Sequence, residues 1–141
     1  MEKNREIGAF LLRIVLGVTF FAHGLSKFQG GIDNVGGWFH QMGIPSFLAY
    51  VVASIELVGG VAIILGLGVR IISVFYVLIM AGAIFIVKLP AGLTGNGKMP
   101  GYELELSLMI IAIYLVLNGS RLLAIDSLLS KIKGSVQVAQ N

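Results

Sequence analysis

The chain has 141 residues, of which 57% are hydrophobic and only 12% charged, more apolar surface than a soluble domain of this size can bury. Its formal charge of +3 comes from ten Lys and Arg scattered singly between apolar segments, so no basic patch for nucleic acid forms. With no cysteine, disulfides, thiolate metal sites and dithiol redox chemistry by the chain's own side chains are excluded.

The first apolar run, 7–25, is long enough to cross a hydrocarbon core of about 30 Å. Lys3 and Arg5 before it resemble the basic start of a signal peptide, but Arg13 in its middle and the equally long runs behind it predict a retained helix. Residues 29–45 are glycine-rich and polar, and predict a loop with a short interfacial helix. Trp38 would lie at headgroup depth, and Asp33 or Asn34 would be the N-cap. A second span, 47–67, follows Pro45 and closes at Gly66 and Gly68. A third, 71–89, stops at Pro90. The segment 91–101 is too polar and glycine-rich for lipid, and a fourth span covers 102–120. Leu122, Leu123, Ile125, Leu128, Leu129 and Ile132 predict an amphipathic helix before a polar tail, 131–141. The expected fold is therefore all-α, a polytopic membrane four-helix bundle with short interfacial helices. Lys3, Arg5, Arg70, Arg121, Lys131 and Lys133 fall on one side and Lys27, Lys88 and Lys98 on the other, which predicts cytoplasmic termini, residues 1–6 included.

Ionisable side chains inside apolar spans are expensive and should face inward. Arg13, Gly17, Phe20, Gly24 and Lys27 recur at helical spacing and form one stripe, with His23 at its flank. Counting depth from the span ends brings Arg13 close to Glu56, and an ion pair between them is expected, either as a clamp or as chemistry. Gly59 and Gly60, one turn from Glu56, would admit a neighbouring helix. A second cluster, His23, Lys27, Lys88, Glu103 and Glu105, approaches the other end of the bundle. Glu103 and Glu105 are about 200° apart on a helix, so only one faces inward, and spacing does not say which. Such a cluster can exchange protons with a small polar ring, whereas Lys88 alone reads as snorkelling to headgroups. The candidate polar site is Arg13, His23, Lys27, Glu56 and Glu103. No metal site is expected, and His23 and His40 lack the facing geometry of haem ligands. The glycines of 92–97 make a turn, without the Gly-Lys-Ser/Thr of a phosphate loop.

Several segments resemble the DoxX family of small four-helix membrane proteins: Leu12-Arg13 through Gly17, His23-Gly24 with Lys27, Glu56-Leu57-Val58-Gly59-Gly60, Leu65-Gly66-Leu67-Gly68 with Arg70, and Gly101-Tyr102-Glu103-Leu104. The resemblance covers most of the chain and implies a DoxX-like domain over 7–130. The segments 28–31 and 87–92 are similar to its catechol- and quinone-resistance branch. The resemblance implies membrane redox chemistry: an oxidoreductase or oxidoreductase subunit in quinone or catechol detoxification or redox stress. Lys88 stands where many relatives carry a histidine, which argues against a histidine relay there. The partners so implied are the lipid bilayer, a quinone or catechol-type molecule, a redox partner protein and other copies of the chain; a bound quinone is the candidate cofactor. Two other classes fit the same charges: a permeation or efflux component for small solutes, and a scaffold for a redox enzyme whose buried pairs are structural.

Overall fold

Long apolar runs punctuated by glycine give helices whose backbone is satisfied internally, as lipid demands. The computed structural model describes residues 2–139, without the side chains of 134 and 136–139, and the described chain is all-α. Helix α1 spans Glu2–Gln29, α2 Ile32–Gln41, α3 Phe47–Leu65, α4 Val69–Gly82, α5 Glu103–Asn118 and α6 Ile125–Ala139. Helix α4 continues as a π-helical segment, Ala83–Lys88, and a 3-10 turn, Leu89–Ala91. Three helical stretches are long and apolar enough to cross a membrane: Glu2–Gln29, Phe47–Leu65 and Val69–Ala91. Helix α5, at 16 residues, reaches about 24 Å and completes a four-helix bundle with α1, α3 and α4.

Helix α1 packs chiefly on α3, and α4 on α5, so the bundle is two antiparallel pairs. The α1/α3 contact is made by glycine. A Cβ on Gly24 would lie 2.5 Å from the backbone nitrogen of Leu57, and one on Gly60 would lie 2.8 Å from the carbonyl oxygen of Gly17. Small residues let these two backbones meet directly, the packing mode favoured between membrane helices. Across the two pairs, Phe20 of α1 stacks on Tyr76 of α4 with ring centroids 3.6 Å apart. Leu16, Ile63, Leu108, Ala112 and Leu115 fill the core around them. Apolar side chains such as Leu11, Val58, Ile71, Leu78 and Phe85 point outward and are exposed, which suits hydrocarbon surroundings.

Gly66 caps α3 with φ 75° and Gly68 precedes α4 with φ 56°, left-handed conformations that make the α3–α4 turn tight. The short interfacial helix exists as α2, but neither expected N-cap serves it. Its cap position is Gly31, the Asp33 carboxylate accepts a hydrogen bond from the Tyr50 hydroxyl, and Asn34 Nδ2 donates back to the Gly30 carbonyl. Asp33 is thus used to tie α2 to α3. At the other end of the bundle Leu128, Leu129 and Ile132 of α6 are exposed. The expected polar tail is helical as far as Ala139, and its residues 140–141 lie outside the described residues.

Candidate functional site

Glycine packing fixes the register of α1 on α3, and the register decides which charges meet. Gly17 lies against Gly60, Gly24 against Ala53 and Leu57, and Arg13 against Gly66. Gly66 is ten residues past Glu56, roughly 15 Å along the helix, so the expected Arg13–Glu56 ion pair does not form. Depth counting failed because α1 begins at Glu2 and is far longer than the apolar run inside it. Glu56 pairs instead with Lys27, one turn further along α1 than His23. Lys27 bends inward to reach a carboxylate that is 4% exposed, in place of stretching outward to water.

Arg13 is fully buried near the termini and serves a different neighbourhood. Its Nη2 donates to the Leu123 carbonyl at 3.0 Å, and its Nη1 approaches the carbonyl and hydroxyl of Ser120 at 3.4 and 3.5 Å. The guanidinium carbon also stands 5.2 Å from the Phe10 ring centroid, a cation–π contact. Glu6 adds a second hold on the same loop by accepting the backbone N–H groups of Arg121 and Leu122. Asp126 accepts from the Gly68 N–H at 2.7 Å. These contacts bind the α5–α6 connection to α1 and to the α3–α4 turn.

At the opposite end, the one carrying α2, a cavity of about 530 Å³ lies between the two helix pairs. Phe20 forms its floor, Trp38 and Phe39 of α2 and Leu48 of α3 one wall, and Ile79, Ala83 and Ile86 the other. Its lining is almost wholly apolar except for His23, Lys27, Glu56, Lys88 and Glu105. Lys88 Nζ donates to Glu105 Oε1 at 2.6 Å, so Lys88 forms a second ion pair and does not snorkel. The second oxygen, Glu105 Oε2, is buried without a partner. Glu105 is thus the inward member of its pair, while Glu103 is exposed and does not line the cavity. Of the five candidate site residues, His23, Lys27 and Glu56 come together there, and Arg13 and Glu103 lie elsewhere.

Two contributors were not singled out from the sequence, and a third, Glu105, was left open against Glu103. Glu105 needed the helix phase of α5, which two acidic residues in one first turn leave open. The aromatic wall from α2 needed the fold of a glycine-rich segment. The π-helical segment carries Ala83, Ile86, Val87 and Lys88 into the cavity, and wider turns of this kind often shape functional sites. Pro90, which lacks an N–H, marks the irregular end of this helix in the sequence. Among the described residues no group of three or more His, Asp or Glu is placed to hold a metal ion.

Apolar helices, two part-buried ion pairs and an apolar cavity between the helix pairs define a small polytopic membrane protein whose ionisable side chains meet inside the bundle. The chain belongs to the DoxX family, whose profile matches residues 8–89. It is 45% identical over 139 residues, 99% of each chain, to a Bacillus subtilis (strain 168) protein named "Putative oxidoreductase CatD". It is 32% identical to the uncharacterized membrane protein Rv3486 of Mycobacterium tuberculosis, over 85% of this chain and 80% of that one. An uncharacterized Haemophilus influenzae protein is 34% identical over 90% of this chain and 94% of its own. No solved structure matches the chain.

Proposed function

We propose that this DoxX protein is a membrane-embedded oxidoreductase, or the membrane subunit of one, acting on quinone or catechol-type compounds in detoxification or redox stress. The observation that carries this reading is the convergence of His23, Lys27 with Glu56, and Lys88 with Glu105 on one apolar cavity. Its volume falls within the usual range for small-molecule sites, roughly 300–1,000 Å³, and its few polar groups sit together, as orientation of an aromatic ring requires. A bound quinone would be held by this donor and acceptor set, with Lys27 and Lys88 as the donors to its oxygens and the ring supplying the two-electron redox chemistry. The name of the Bacillus subtilis relative, "Putative oxidoreductase CatD", supports the reaction class.

Oxidising a hydroquinone or catechol to its quinone removes two protons and two electrons. Glu56, Glu105 and His23 are the proton acceptors. With no cysteine in the chain, the electrons pass to a redox partner protein or a second quinone. The test compares wild type with Glu56→Gln, expressed at matched levels in membranes and challenged with catechol or hydroquinone. Survival and the redox state of the compound are both followed. Wild-type conversion that disappears in a folded Glu56→Gln supports the reading. A wild type that alters no ring compound defeats it, and movement of unaltered solute across the membrane would identify a permeation component.

A further inference from the structure

The two helix pairs touch through the Phe20–Tyr76 stack, and the cavity opens on the α2 side of that stack. Its rim is made of side chains that face away from the bundle. Leu78, Ile86 and Leu104 are 62%, 56% and 46% exposed, and Trp38 across from them is 44% exposed. Leu78 and Ile86 belong to a stretch apolar enough to span the membrane, Val69–Ala91, so their surroundings are hydrocarbon. A cavity rimmed by such residues opens sideways into lipid.

At the polar end, Glu105 carries a specific demand. Lys88 occupies only Oε1, and Oε2 is buried with no donor. Glu105 is ion-paired with the Lys88 ammonium, and a carboxylate so paired is an acceptor with nothing to donate. A buried acceptor of this kind is satisfied by a hydroxyl and opposed by a carbonyl oxygen.

We propose that the cavity takes a lipid-borne ring with a hydroxyl head, a tailed hydroquinone. It enters sideways from the bilayer past the exposed side chains of α4 and its π-helical end. Glu105 Oε2 accepts from a ring hydroxyl and so selects the reduced head over the oxidised one. This rests on the proposed function in assigning ring compounds to the cavity, and it adds which form is held, by which residue and from which side it arrives. The apolar tail remains at the rim beside Leu78 and Ile86, while the head lies among the two ion pairs.

The test uses the full chain in lipid nanodiscs under anaerobic conditions. Trp38 is the chain's single tryptophan and lies on the rim, so its fluorescence reports occupancy. Decyl-tailed hydroquinone and the matching decyl quinone are titrated, with Kd expressed per ligand in the lipid phase. Wild type should prefer the reduced head by about tenfold or more, the worth of one hydrogen bond to a charged acceptor. Glu105→Gln offers a donor as well as an acceptor and should bring the two Kd values within about twofold. If Glu105→Gln does not fold, the double variant Lys88→Met with Glu105→Gln, which leaves no lone charge, carries the same comparison. A hydroquinone with a photoreactive diazirine at the start of its tail should label Leu78, Ile86 or Leu104. Equal affinity for both heads, or an unchanged preference in the variants, overturns the selection by Glu105, and labelling confined to the 92–101 loop overturns the sideways route. If either fails while wild-type membranes still convert hydroquinone, only this inference falls. If neither head binds and none is converted, the proposed function falls with it.

Discussion

Lys27 and Glu56 show what a buried charge asks of its neighbour. Removing one partner strands the other in a low-dielectric interior, whereas replacing both by apolar residues of similar size removes the problem. Glu56→Met or Lys27→Met alone should therefore destabilise the protein by about 3–5 kcal/mol, and the double replacement by much less. Thermal melts of the four proteins in one detergent measure this, and an additive double variant would refute the coupling. Arg13 makes the complementary case, a buried cation held by carbonyls and a hydroxyl in place of a carboxylate. Arg13→Met leaves the Leu123 and Ser120 carbonyls without their donor, at about 1–3 kcal/mol for each group left buried and unsatisfied. Because the contacts are to the α5–α6 connection, the expected sign is faster proteolytic cleavage within 119–124, read by limited digestion in detergent. Unchanged cleavage would mean that Glu6 and Asp126 hold the loop without it.

At the scale of helices, the deciding contact is glycine against backbone. A methyl group at Gly24 would meet the nitrogen of Leu57 at 2.5 Å and the carbonyl of Ala53 at 2.9 Å, neither of which can step aside, while one at Gly8 meets nothing. Gly24→Ala should lower stability by about 1–3 kcal/mol through overpacking. Gly8→Ala should be neutral or stabilising by about 0.5–1 kcal/mol, because alanine is the better helix former. Paired thermal melts test the contrast, and equal effects would show that the α1/α3 contact is looser than described. The same contact explains what was legible in the sequence. Runs of apolar residues and their glycine and proline stops identify the helices, because burial in lipid is written in composition. Register is not written there: Arg13 and Glu56 both lie on inward faces, yet which charges meet depends on where two glycine surfaces interlock. Helix phase is equally silent for Glu103 and Glu105, since both fit an acidic first turn. Asp33 looked like a cap because its type and position suit one, and the competing partner, the Tyr50 hydroxyl, comes from a helix seventeen residues away.

For the molecule as a whole, Glu6 and Arg13 bring the start of α1 to the α5–α6 connection, so both ends of the bundle's chain emerge on one side. Lys3, Arg5, Arg70, Arg121, Lys131 and Lys133 gather at this end, and from the positive-inside tendency we propose that it is the cytoplasmic one. Reporter fusions at either terminus should accordingly be active only when the reporter functions in the cytoplasm. Activity restricted to an external reporter would invert the arrangement and place the cavity in the inner leaflet. In the expected orientation the cavity, α2 and both ion pairs belong to the outer half of the bilayer, and the exposed Leu128, Leu129 and Ile132 of α6 belong to the inner side.

The bolted α5–α6 connection has a mechanical meaning as well. It joins the α4/α5 pair to the α1/α3 pair at one end, and the Phe20–Tyr76 stack joins them again part-way along, so the pairs are hinged like the arms of a clothes peg. Beyond the stack, the jaws at the α2 end carry no hydrogen bond or ion pair between the two helix pairs among the described residues. Substitutions at the spring, around Arg13 and Glu6, should then register as lost stability, and substitutions at the jaws as altered rates of opening and closing on whatever the protein grips.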